Sequence, residues 1–126
     1  MTLLPRDERG SASIWVLGCG ALVIAVALAA TLRGFAVLAR HRAESAADLA
    51  ALAAAARIGI ASDACASAAR VAAANGAAIQ ACVPSLATDG RSGAVLIRLR
   101  LRIELPVVGV RDVTASARAG REAVPP

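Results

Sequence analysis

The uncharged run from Ile14 to Leu32, IWVLGCGALVIAVALAATL, limits this chain more than any other feature. As a helix it is roughly 28 Å long, close to the hydrocarbon thickness of a bilayer. A soluble helix apolar on every side must be surrounded by other elements. A chain of 126 residues has little left over to do that. The run therefore predicts a single transmembrane helix at 14–32, preceded by a short N-terminal stub at 1–13.

No proline or turn cluster interrupts the pattern between Leu22 and Ile58. The helix is expected to leave the membrane and continue to about residue 58, with Gly34 available for a kink at the interface. On the extension Leu49, Leu52 and Ala56 share one face, and Glu44, Asp48 and Arg57 punctuate it. Gly59 to Ser62 mark a break. Ser62 or Asp63 can cap a second helix, which runs to the stop signal Asn75-Gly76. Val95, Ile97, Leu99, Leu101, Ile103 and Leu105 then alternate with Arg98, Arg100, Arg102 and Glu104, the period of a half-buried strand. Pro106 ends it, and a second alternation at Val113 to Ala119 predicts an antiparallel partner. Ile79 to Val83 is a weaker third strand, and Asp89-Gly90 has turn chemistry. The fold class is α+β: a long N-terminal helix, a second short helix, and a small antiparallel sheet of 2–3 strands. The soluble domain is expected at 59–122, with a frayed tail at 123–126.

Composition makes that domain's core thin. The hydrophobic fraction is 58% but the aromatic fraction only 2%, and alanine, which fills the gap, buries little area. The net charge of +5 comes from 14 basic residues, all arginine. So few aromatic rings disfavour a stacking platform for single-stranded nucleic acid. The row Arg98, Arg100, Arg102 reads first as the solvated face of an amphipathic strand, which also discourages edge aggregation. Its rival reading is a contact with lipid phosphate or an acidic protein.

The chain offers few residues for chemistry. His41 is the one histidine, too few for a histidine metal site, and no phosphate-binding glycine loop is present. Glu44 and Asp48 lie a helical turn apart without any sign of a pocket. No enzymatic activity, cofactor, metal or small-molecule substrate is expected. Val16 to Cys19 reads VLGC like a lipoprotein box, but the apolar run follows the cysteine instead of preceding it. Gly18 and Gly20, with Ala21, Ala25 and Ala29, read as a small-residue stripe that could pack on a neighbouring membrane helix. Cys65 and Cys82 read as a disulfide if the domain is exported, and as two free thiols in the cytosol.

Orientation is contested by the residues themselves. Arg33, Arg40 and Arg42 outnumber Arg6 and Arg9, so the arginine rule puts the C-terminal part inside. The short stub and the cysteine pair favour export.

The segments ERGSASIWVLG and RHRAESAADLAALAAAA, with the membrane run between them, resemble the TadE/TadG-like proteins of the tight-adherence (Flp) pilus system. The similarity is closest to the short actinobacterial members of that family. Its most specific element is Ala46 to Ala53, AADLAALA; CASAARVAAANGA, the following cysteine, the alternating strands and ARAGRE extend it over most of the chain. The resemblance implies a pilin-like fold and a cytoplasmic N-terminus. It also implies a pseudopilin or minor-pilin role in pilus assembly or secretion, in the cell membrane, with an extracytoplasmic C-terminal domain. The partners implied are the bilayer and other pilus or secretion subunits, reached through Gly18, Gly20, Ala25, Ala46, Ala47, Asp48, Leu49 and Leu52. Gly10-Ser11 is the candidate processing site. The chain departs from the pilin pattern there: cleavage after Gly10 makes Trp15 the fifth residue, where many pilins carry glutamate. The alternative function is a membrane-tethered, cytoplasm-facing adaptor whose arginine strand binds an acidic protein or lipid.

Overall fold

The computed structural model describes residues 10–123. Residues 1–9 of the stub expected at 1–13 and the last three residues of the expected frayed tail lie outside that range. Helix α1 covers Ser11–Ala55, α2 covers Ala64–Ala74, and three strands follow: β1 Ala77–Leu86, β2 Gly93–Leu105 and β3 Gly109–Arg121. This is the α+β order that the periodicities predict.

The chain divides into two compact units between Phe35 and Ala36. The first is the apolar helix, whose large side chains from Ile14 to Leu28 are exposed. Its described residues include no proline, and its one hydroxyl within the later turns is satisfied internally: Thr31 Oγ1 donates to the Ala27 carbonyl at 2.8 Å. The helix is long and apolar enough to cross a membrane.

The second unit begins at Ala36, not at residue 59 where the sequence reading starts the soluble domain. The reason is that the second half of α1 carries much of the core. Ala43, Ala46, Ala47, Ala50, Ala51, Ala54 and Ala55 are buried in one cluster with Val95, Ile97, Leu99 and Leu101 of β2. The alternating strand supplies bulk, and the helix supplies a flat wall of methyl groups.

The sheet is a meander in the order β1-β2-β3, all antiparallel. β1 is longer than the expected 79–83 because Pro84 lies within it, opposite Val95. An edge strand tolerates a residue that cannot donate to the ladder. β1 also carries a bulge: Ile79 pairs with Leu99 and Ala81 with Arg98, leaving Gln80 unpaired. The extra residue reverses the inward phase of the strand. Ala77 and Ile79 face the core before it and Cys82 after it. Cys82 thereby meets Cys65 on α2, and the two form a disulfide with Cα atoms 5.9 Å apart.

Two turns and a helix start shape the domain locally. Gly59 has φ +73°, and a Cβ there would lie 2.9 Å from Arg91 Cα, so only glycine fits the end of α1. Asp89 shapes the β1–β2 turn: its Oδ1 accepts from the backbone N–H of Arg91 at 3.0 Å and of Ser92 at 3.1 Å. These donors hold its carboxyl below the usual aspartate range. At the start of α2, Asp63 occupies the cap position expected of it, but its side chain makes no capping bond. The carboxylate is drawn instead toward Arg57 and Arg70, each 3.9 Å away.

Candidate assembly surfaces

The residues expected to carry association fall into three groups that the structure treats differently.

On the apolar helix, Gly18, Gly20 and Ala25 are all exposed, and an added Cβ at either glycine would meet nothing within the chain. They do not form one stripe. Gly18 and Ala25 are seven residues apart and share a face, whereas two residues of helix turn about 200°, which puts Gly20 on the opposite side. Ile14, Trp15, Gly18, Cys19 and Leu22 line a shallow apolar notch on the Gly18 face. Cys19 is a free thiol there.

On the second half of α1 the expected group splits. Ala46 is 2% and Ala47 0% exposed, both within the domain's own core. They cannot also face a partner, and this corrects the expectation drawn from the resemblance. Leu49 and Leu52 stay 49% and 59% exposed. Asp48 beside them is exposed and joins no ion pair among the described residues. The neighbouring Glu44, by contrast, holds Arg40 at 2.9 Å. The face that remains for a partner is therefore Asp48, Leu49 and Leu52.

This inversion gives a paired expectation. Ala47→Leu places a larger side chain against the buried strand and should destabilise the domain by roughly 1–3 kcal/mol. Leu49→Ala, although it removes a larger hydrophobe, should change stability by under about 1 kcal/mol because the site is half exposed. Chemical denaturation of the two full-length variants reads the difference. Equal losses would mean that Leu49 is covered within the fold.

On the sheet, Arg98, Arg100 and Arg102 point away from the helices, as their alternation predicts. Arg118 on β3, opposite Leu96, joins them, a position that the single-strand reading missed. Asp112 lies 3.6 Å from Arg100 and 3.5 Å from Arg102. Those pairs are exposed and contribute little. Arg98 and Arg118 have no acidic partner within ion-pair distance among the described residues.

The candidate processing site is local in character. Gly10 is exposed and immediately precedes the first residue of α1, so the Gly10–Ser11 bond lies where regular helix begins. Among the described residues, no group of histidine, cysteine, aspartate and glutamate side chains is arranged to hold a metal ion.

Residues 10–57 match the model of a family described as putative Flp pilus-assembly TadE/G-like. This is the family that the sequence resembles, and the match covers α1 from its first turn to its last. No curated protein and no solved structure matches the chain.

Proposed function

We propose that this chain, with a TadE/G-like helix at residues 10–57, is a membrane-anchored pseudopilin or minor-pilin-like subunit. It takes part in assembly or secretion of a Tad/Flp-type pilus and has no catalytic activity of its own. The family match ties the helix to Flp pilus assembly. The observation that carries the finer reading is the coupling of that helix to a small sheet domain through its buried alanine face. The helix is thus both anchor and core, as a pilin-like subunit requires. Its N-terminal half offers an uninterrupted apolar surface to neighbouring subunits. Asp48, Leu49 and Leu52 add a second contact outside the apolar run. The Cys65–Cys82 bridge supports an extracytoplasmic domain, because such bonds persist in oxidising compartments.

The test is co-purification of pilus components with the tagged full-length chain. Leu49→Arg with Leu52→Arg should reduce recovery about tenfold, a change of ~1.4 kcal/mol in association, while the Cys65–Cys82 bridge stays formed. Asp48→Ala should give a smaller loss in the same direction. Undiminished recovery in the double variant would remove this face from the assembly. If the double variant lost the bridge as well, Leu49→Ser would repeat the test with less disturbance.

A further inference from the structure

One end of the domain carries an apolar tip that the fold does not use. β2 and β3 pair out to Leu105 and Gly109, and Pro106, Val107 and Val108 close the turn between them. From Leu105 to Val110 no side chain is charged or able to hydrogen-bond. Val107 is 96% exposed, and Val108 and Val110 are 42% and 55% exposed. Val107 also has φ +72°, the one positive φ outside glycine among the described residues. A β-branched side chain is a rare occupant of that region, because its Cβ crowds the backbone. Glycine would close the turn with less strain. Valine there is unfavourable twice, through strain and through exposed apolar surface, and no contact among the described residues covers it. Strain and exposed apolar surface at one place point to a contact outside the fold.

The position of the tip selects the contact. Within the domain α1 and β2 run in opposite directions. At one end Gly59, just past α1, sits against Arg91 before β2, and Arg121 at the end of β3 donates to the Ile58 carbonyl. At the other end Leu101 and Ile103 of β2 border the same hollow as Leu38 and His41 of α1. The tip follows Ile103, so it projects from the end at which the chain enters the domain. That entry, Ala36, is four residues after Leu32, the end of the apolar run. Four residues reach at most about 14 Å even when fully extended. A tip tethered that closely meets a bilayer surface at high effective concentration. Glu104 and Arg111 bracket it with opposite charges, so apolar burial is the attraction and anionic lipid is not required. We infer that Val107, Val108 and Val110 seat the tip in the surface of the bilayer, giving the domain a second attachment beside its helix. The inference rests on the apolar helix lying in a membrane and is independent of the pilus role.

Spin-label accessibility in phosphatidylcholine nanodiscs tests it. The full-length chain carries Cys19→Ala and one added cysteine, from Val107→Cys, Leu86→Cys or Val23→Cys. The Cys65–Cys82 bridge stays oxidised, so only the added thiol is labelled. Leu86 is the matched control: it is 58% exposed but lies at the opposite end of the sheet, paired with Gly93. Val23 reports on the apolar helix. Collision with oxygen, relative to a water-soluble nickel chelate, should be several-fold higher at position 107 than at position 86 and should approach the value at position 23. Val108→Asp should bring position 107 down to the level of position 86, because a carboxylate resists leaving water. Equal readings at 107 and 86, with 23 still lipid-like, would overturn the inference and leave the anchor standing. A lipid-like reading at 107 that survived Val108→Asp would overturn it too. Water-like readings at all three positions would remove the anchor and the inference together.

Discussion

Leu99→Ala should lower the stability of the domain by about 2–5 kcal/mol, toward the upper end of that range. Leu99 is fully buried at the middle of the central strand, paired with Ile79 on one side and Ala115 on the other. The cost of such a truncation depends on how far neighbours relax into the space. Here the opposing wall is alanine from Ala43 to Ala55, and a side chain that is only a Cβ methyl has no rotamer that could swing inward. The cavity should persist. Small domains have on the order of 5–15 kcal/mol in total, so the variant should be partly unfolded near physiological temperature. Leu96→Ala on the outer face of the same strand is the matched comparison and should cost under about 1 kcal/mol. Urea titration of the full-length proteins in detergent, with the disulfide intact, separates them. Similar midpoints for the two variants would show that the core does not depend on the β2 row.

Removing the Cys65–Cys82 bridge should cost about 3 kcal/mol. The bond closes a loop between residues 17 apart in sequence, and the chain-entropy account of a loop that size gives roughly that figure. The consequence is larger here than in a protein with aromatic bulk, because the aromatic fraction is 2%. Cys65→Ser with Cys82→Ser, measured beside the unmodified protein with and without reductant, is the experiment. The unmodified protein should lose stability on reduction and the double variant should not respond. If reduction leaves the midpoint in place, the sheet and helices hold the domain without covalent help.

Much of this fold was legible in the sequence, for identifiable reasons. Period two in β2 is strict over a long strand, and it gave both the strand and its buried row. The two glycine-marked stops, after Ile58 and at Gly76, bounded α2. The extent of β1 was not legible. Pro84 normally ends a strand, and only the topology reveals that it lies on an edge. Nor was the bulge at Gln80, since one unpaired residue leaves no compositional trace and yet decides which way Cys82 points. The association surface was half legible. Leu49 and Leu52 stand out among alanines, so they read equally well as core or contact. Only the buried side of the helix decides between these. Ala46 and Ala47 gave no warning, because alanine is nearly indifferent to which side of a helix it occupies.

The alanine wall has a mechanical consequence. Interlocking side chains act as detents: a helix seated in them cannot slide without climbing over them. A surface of methyl groups offers few, and a displacement by one turn would bring alanine against the same strand again. Position along α1 is therefore fixed at an end of the bearing rather than along it. Arg121 does this at one end, its guanidinium donating to the Ile58 carbonyl at 3.2 Å and the Ala56 carbonyl at 3.5 Å, just past the last turn of the helix. The tight seat of Gly59 on Arg91 does so beside it. The domain is held to its helix as a sleeve is held to a smooth rod, by stops rather than by teeth.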